Sequence, residues 1–402
     1  MDRLEIKGTV NTAICYARVV EEDAVEQIRR MCDYDFTKGS QIRIMPDVHA
    51  GKGCTIGTTM TIQDKAVPNI VGVDIGCGML TTRIAQTEID LEKLDAAAHF
   101  IPSGMKVWEG RQGRFDLQAL RCYRELKKTK WLERSLGTLG GGNHFMEMDV
   151  AADGTKYLVI HTGSRNLGKQ IAEIYQQLAI DLNKGKETYF QQREEIIRTY
   201  KEQGRRKEIQ AALEQITWLK RETTIPEDLC HLYGSFLEDY LHDVEICQQF
   251  ARRNREMIAE ILLDRAGLTG LDKFHTIHNY IDTDEMILRK GAIAAHKDER
   301  VLIPINMRDG SILAAGKGNP EWNYSAPHGA GRVMSRTKAK NSLSLEEYQQ
   351  AMAGVYSTSV NEATLDEAPM AYKRLEDIVE VIKEAVDIID IMKPIYNFKA
   401  SE

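Results

Sequence analysis

Val73-Asp74-Ile75-Gly76-Cys77-Gly78-Met79 sets a carboxylate and a thiol three residues apart among glycines, directly after the apolar run Val67 to Val73. The run predicts a strand that ends in a tight turn, because glycine takes the positive φ that lets a backbone fold closely around a ligand. Asp and Cys at this spacing can point at one centre, and a thiolate with a carboxylate is half of a metal site. A structural Cys beside a turn Asp is the plain alternative. The choice between them lies in the rest of the chain.

The chain has 402 residues, 43% of them hydrophobic and 28% charged, the composition of an ordinary globular protein with a large core. No apolar run reaches membrane-spanning length, and Met1-Asp2-Arg3-Leu4-Glu5 lacks the order of a secretory signal, so a cytoplasmic protein is expected. Seven cysteines, an odd number without framework spacing, predict reduced thiols. A net charge of −7 argues against non-specific nucleic-acid binding by the whole surface and leaves a local basic groove open.

A helix is expected from about Glu21 to Cys32 and a strand through Gln41 to Met45, ending in the glycine-rich turn Pro46-Asp47-Val48-His49-Ala50-Gly51-Lys52-Gly53. Thr55 to Ile62 reads as a strand, Leu91 to Phe100 as a short helix and Gln118 to Arg134 as a longer basic one. Gly140-Gly141-Gly142 then places Asn143, His144 and Glu147 at the lip of a following strand; this is no P-loop, since the Lys-Ser/Thr pair is missing. Tyr157 to Arg165 is a buried strand that ends in His161 and turns, with Arg165 offering a fork suited to phosphate. Residues 184–222 are a highly charged stretch, better read as a solvated helical hairpin than as an RNA-contacting arm. A long amphipathic helix follows from Leu229 to Leu263, and then a strand from Phe274 to Ile281 carrying His278. His328, between Pro327 and Gly329, is expected to open a helix whose first turn bears Arg332 and Arg336, an anion site. Further helices are expected over Leu345 to Val355 and from Ala371 to Ile388.

Asp74, Cys77, His144, His161, His278 and His328 each stand beside glycine or at the end of an apolar run, more ionisable strand ends than one core needs. A bound metal, or a pair, is the expected reason. Histidines with a thiolate suit zinc, whereas Asp with open positions for phosphate oxygens suits manganese or magnesium. His328, on a loop with arginines, looks less like a ligand than a nucleophile, because a neutral imidazole nitrogen can attack phosphorus and pass the group on. Phosphoryl or nucleotidyl transfer is the reaction class that these residues predict.

Pro46-Asp47-Val48-His49, Val71 to Met79, Gly142-Asn143-His144-Phe145, His161 to Arg165, His278-Asn279-Tyr280, Arg289-Lys290-Gly291-Ala292 and His328-Gly329-Ala330-Gly331-Arg332 occur in the order of the RtcB family of RNA ligases. The resemblance runs from about Ala17 to Lys399 and is weakest over residues 184–222. It implies a GTP- and manganese-dependent ligase joining RNA 3′-phosphate or 2′,3′-cyclic phosphate ends to 5′-hydroxyl ends, in RNA repair or tRNA splicing, with an archease-like activator as a possible partner. Carried over by motif, Cys77 would bridge two Mn²⁺ ions, one also held by Asp74 and His144, the other by His161 and His278. His328 resembles the family's nucleophile, which takes GMP from GTP. Asn143, Glu147, Gly329, Ala330, Gly331, Tyr372 and Lys399 match positions that hold the guanylate. Family members commonly carry Gly-Ser-Met-Gly-Thr where this chain has Ile305 to Ser311, and Ser-Cys-Ser where it has Ser325-Ala326-Pro327.

The expected architecture is α/β: one large catalytic domain over residues 1–402, central β-sheets whose strand ends carry the site, peripheral helices, and a helical insertion at 184–222. The rival reading is a metal-dependent phosphoesterase that opens cyclic phosphates without ligating.

Overall fold

Gly78 can stand only where it does: a Cβ there would lie 2.4 Å from the Thr276 carbonyl oxygen. That close approach begins the largest of four sheets, two of which have only two strands. In the computed structural model, which describes residues 3–218 and 221–400, seven antiparallel strands lie side by side in the order Gly270–Ile277, Gly78–Ile84, Lys156–Thr162, Phe145–Val150, Val386–Lys399, Gly310–Gly316 and Arg300–Asn306. The second sheet has six strands, in the order Leu4–Lys7, Thr12–Cys15, Ile42–His49, Ile56–Thr61, Ile287–Lys290 and Asn279–Asp282. Only the pairing of Thr12–Cys15 with Ile42–His49 is parallel within it. The chain crosses from one sheet to the other at His278, between Ile277 and Asn279.

The register of the large sheet gathers the site. Ile277 faces Gly78, Gly78 faces Thr162 and His161 faces Phe145, so His278, Cys77, His161 and His144 fall at one end of four adjacent strands. Beneath them runs the helix Gly234–Ala266, ended by Gly267 at φ +70°. It buries Leu237, Val244, Phe250, Ile258 and Leu262, each worth about 1.5–3 kcal/mol when taken out of water. Its polar residues Asn254 and Arg255 are fully buried as well, and they brace the turns above. Asn254 accepts from the Gly137 and Thr138 amides at 2.7 and 3.1 Å and donates to the Thr138 and Gly163 carbonyls at 3.1 Å each. Arg255 donates to the Gly76 and Thr162 carbonyls at 2.7 and 2.9 Å. Asn254→Ala strands those backbone groups in the interior and is expected to lower unfolding free energy by about 2–3 kcal/mol, measured by urea titration.

Several expectations about elements are corrected. Val67 to Val73 is not a strand: Pro68 opens a helical turn over Pro68–Val71 because its fixed φ suits the first helical position, and Gly72 at φ +98° ends it. The strand begins only at Gly78. Pro46 to His49 belongs to the strand Ile42–His49, not to the turn after it. The basic helix expected from Gln118 to Arg134 is two short 3₁₀ turns, Leu117–Ala119 and Tyr123–Glu125, and a single helix Thr129–Arg134; Asp243, beneath them on the long helix, takes the Arg121 and Cys122 amides at 2.7 and 2.9 Å. The strand expected from Phe274 to Ile281 is broken at His278. The helix expected to reach Ile388 stops near Glu384, and Val386–Lys399 is a 14-residue strand. Within 184–222 the structure has the helices Glu187–Glu202 and Ile209–Leu213, neither with a buried residue; Leu219 and Lys220, in the same charged stretch, lie outside the described residues, as do Met1, Asp2, Ser401 and Glu402. No helix among the described residues is long and apolar enough to cross a membrane.

Candidate metal and nucleotide site

Two triads of donor atoms lie at the sheet end, Asp74-Cys77-His144 and Cys77-His161-His278, with the donor atoms of each within 4.8 Å of one another. Cys77 belongs to both. Its Sγ is 3.5 Å from His144 Nε2 and 3.4 Å from His161 Nε2, while His144 Nε2 is 3.1 Å from Asp74 Oδ2 and the Nε2 atoms of His161 and His278 are 3.4 Å apart. Local backbone fixes the carboxylate: Asp74 Oδ1 accepts from the Ser164 amide at 3.0 Å, and Gly163 leaves the space that any Cβ would take, 2.2 Å from that oxygen.

The tautomers follow from the partners. His144 Nδ1 is 2.9 Å from the Leu139 carbonyl and His161 Nδ1 is 3.1 Å from the Asn143 carbonyl. A carbonyl only accepts, so both Nδ1 atoms carry protons and both Nε2 atoms face the cluster, that of His161 with its lone pair and that of His144 toward the Asp74 carboxylate. Burial, with neighbouring imidazoles, holds His161 and His278 well below the ordinary histidine range, so each stays neutral. Burial pushes the Cys77 thiol well up, and Asp74 pushes it further; Asp74, although burial opposes it, is held down to about 2 by the hydrogen bond and charge of His144. Lone pairs facing one another around a thiol and a carboxylate are repulsive as they stand and become favourable around a cation, which would also deprotonate the thiol. The donor set therefore fits divalent metal.

His328 reaches the same space from a separate two-stranded sheet. It follows the strand Ser325–Pro327, whose Pro327 pairs with Ala292, and the Gly291 amide is bonded to the His278 carbonyl at 2.7 Å. The His278 and His328 rings lie 4.9 Å apart, centre to centre. His328 Nδ1 is 2.7 Å from Asp47 Oδ2, and Asp47 is fully buried on the strand Ile42–His49. A carboxylate there accepts a hydrogen bond from Nδ1–H, which keeps the proton on Nδ1 and leaves the Nε2 lone pair free. The expected helix does not begin at His328: residues 328–335 are irregular and the helix is Arg336–Ser342, capped by Ser335, so no helix N-terminus faces His328.

These residues share a cavity of about 330 Å³. Asp74, Cys77, His161 and His278 line it together with Asn143, Glu147, His328, Gly329, Ala330, Gly331, Tyr372 and Lys399; of the expected site residues only His144 stands behind the wall. Arg332 and Arg336 line it too, but they do not point freely at solvent. Glu367, 2% exposed, accepts from Tyr372 Oη at 2.7 Å, Lys399 Nζ at 2.8 Å, Arg336 at 2.9 Å and Arg332 at 3.4 Å. Burial alone would raise the Glu367 carboxyl, and Lys399 and Arg336 outweigh it and hold it below the usual range. The sequence carries no sign of the role of either buried carboxylate: Asp47 reads as part of a turn and of a family motif without a role of its own, and Glu367 stands in no motif. Their partners lie 281 and up to 35 positions away, and no local pattern announces them.

A family model described as tRNA-splicing ligase RtcB matches residues 27–131 and 109–400 of the chain. The chain is 30% identical over 423 residues to the RNA-splicing ligase RtcB of Escherichia coli (strain K12), covering 94% of this chain and 95% of that protein. It is 28% identical to the tRNA-splicing ligase RtcB of Aeropyrum pernix, over 84% and 83% of the two chains, and 25% identical to that of Thermococcus kodakarensis, over 87% and 86%.

Proposed function

The chain belongs to the RtcB family and is an RNA ligase for 3′-phosphate and 5′-hydroxyl ends, and from that premise we propose that His328 is its nucleophile, taking GMP from GTP. Asp74, Cys77, His144, His161 and His278 would hold two Mn²⁺ ions, with Cys77 between them. The observation that carries this reading is the 2.7 Å contact of His328 Nδ1 with buried Asp47, in a cavity that the donor cluster also lines. Asp47 holds the proton on Nδ1, so Nε2 can attack the α-phosphorus of GTP: a P–N bond forms, the bond to the bridging oxygen breaks, and pyrophosphate leaves. GMP then passes to the RNA 3′-phosphate, and the 5′-hydroxyl displaces it to close the strand. Bound cations supply the positive charge that brings a nucleophile up to an anionic phosphate.

Asn143, Glu147, Tyr372, Lys399 and the Gly329-Ala330-Gly331 turn form the guanylate side of the cavity in this reading. Binding an anion there requires Lys399 and the two arginines to exchange part of their hold on Glu367 for phosphate oxygens. RNA ends with a 2′,3′-cyclic phosphate are substrates in the same proposal, and an archease-like protein would renew the guanylylated state.

Incubation with GTP labelled at the α-phosphate and Mn²⁺, followed by peptide mapping, tests the reading. The expected result is acid-labile, alkali-stable label on the peptide carrying His328. Label elsewhere, or opening of cyclic ends without any need for GTP, would reject it in favour of simple hydrolysis.

A further inference from the structure

Asp149 is fully buried, and neither of its carboxylate oxygens has a hydrogen-bond partner among the described residues. Its strand, Phe145–Val150, alternates, so Asp149 shares a face with Glu147, two residues earlier and 3% exposed. Ser311 Oγ and Asn397 Oδ1 are likewise buried and unpartnered. Glu147 has one partner, the Asn397 amide, which donates to its Oε2 at 2.5 Å from the facing strand. Glu147 lines the cavity and Asp149 does not.

The surroundings offer this pair little positive charge. Across the sheet, Glu147 faces Asn397 and Val159, and Asp149 faces Pro394 and Tyr157. Ser311 approaches from Gly310–Gly316, and Lys399, the cation that acts on Glu147, is bound at 2.8 Å to Glu367. Two carboxylates this close in a dry interior cannot both be ionised.

We propose that Glu147 and Asp149 hold a single proton between them, and that Asp149 is a positioning residue that takes this proton when a guanine enters, freeing Glu147 to accept from the base. This rests on Glu147 facing the base in the reading above. Guanine offers two N–H donors side by side on its pairing edge, which a carboxylate accepts together and a protonated carboxyl cannot. Adenine offers no such pair, so the position of one proton bears on the choice of purine.

The direction of titration agrees. Burial, and then Asp149, raise Glu147 well above the usual carboxyl range, and burial raises Asp149 to about 7. Below about pH 7 the pair gains a second proton, Glu147 can no longer be ionised, and the GTP KM should rise, by about tenfold per pH unit. In Asp149→Asn no neighbour can take the proton from Glu147, burial by itself keeps that carboxyl protonated, and the rise should move to higher pH.

The test is the pH profile of the GTP KM for guanylylation, in the parent and in Asp149→Asn, between pH 6 and 8. A rise of about tenfold from pH 8 to pH 6 in the parent, displaced to higher pH in the variant so that its KM already exceeds the parent's at pH 7, is the expected result; coincident profiles would overturn the inference. Should the variant fail to fold, infrared difference spectra of the unaltered protein decide. A protonated carboxyl band at pH 8 that shifts when GTP is added supports the shared proton, and its absence or indifference to GTP overturns it. A protein that takes no GMP at any pH would reject the proposed function, while the carboxyl band of the free protein would still report on the pair.

Discussion

Cys77→Ala is expected to empty the site of divalent cations and to lower ligation by about 10⁴-fold. Cys77 is the one residue common to both donor triads, so its loss takes a ligand from each ion instead of from one. Metal–protein binding worth roughly 10–16 kcal/mol over four ligands assigns each about 3 kcal/mol, or about a hundredfold in affinity per ion. Two ions weakened together multiply to about 10⁴. The side-chain hydrogen-bond contacts of the buried thiol are to His144 and His161, both members of the cluster. Metal content of the purified protein, by elemental mass spectrometry, should fall with activity, while Cys122→Ala, a buried thiol on the far side of the long helix's Asp243, should keep both. Parent-level metal in Cys77→Ala would contradict the shared-ligand reading.

Much of this candidate site was readable because its donor side chains sit near strand ends and glycines. Cys77, His144, His161 and His278 each lie within one residue of a strand end in the large sheet and Asp74 lies four residues before one, and hydrophobic alternation locates such ends well. Three glycines carry a second signal: Gly78 and Gly163 stand where backbone or a carboxylate comes too close for a Cβ, and Gly76 has φ +76°. Other parts left no local trace. Val67 to Val73 has the composition of a strand, yet Pro68 and Gly72 bound a single helical turn, which packs on the helix Arg165–Asn183. Val386–Lys399 carries Asp387, Asp390 and Lys393 and so resembles a helix face, but its hydrogen bonds are made to strands about 75 and 240 positions away. Glu367 is the clearest case. Nothing in Glu362–Glu367 sets it apart, and its role comes from four cationic or hydroxyl donors that tertiary structure brings to one carboxylate.

Asp47→Asn should reduce guanylylation on the order of 10³–10⁴-fold while leaving metal content at the parent level. Asp47 is fully buried and touches His328 at Nδ1 but belongs to neither donor triad, which is why the two readouts should separate. In the parent, the carboxylate can only accept, so the imidazole proton is confined to Nδ1 and the Nε2 lone pair is always presented to the cavity. An asparagine can turn its amide nitrogen toward Nδ1, and the proton then moves to Nε2, where it blocks attack on phosphorus. Loss of the correct tautomer in a serine protease triad costs about 10⁴-fold with geometry intact, and the same logic sets the scale here. The substitution is nearly isosteric and Asp47 Oδ1 has no hydrogen-bond partner to lose, so folding should survive. Raising pH would not rescue the variant, because the fault is the position of a proton and not its presence. A variant that still forms the GMP adduct at the parent rate would show that Asp47 does not govern His328. One that loses metal as well would show that the strand Ile42–His49 supports the cluster rather than the nucleophile.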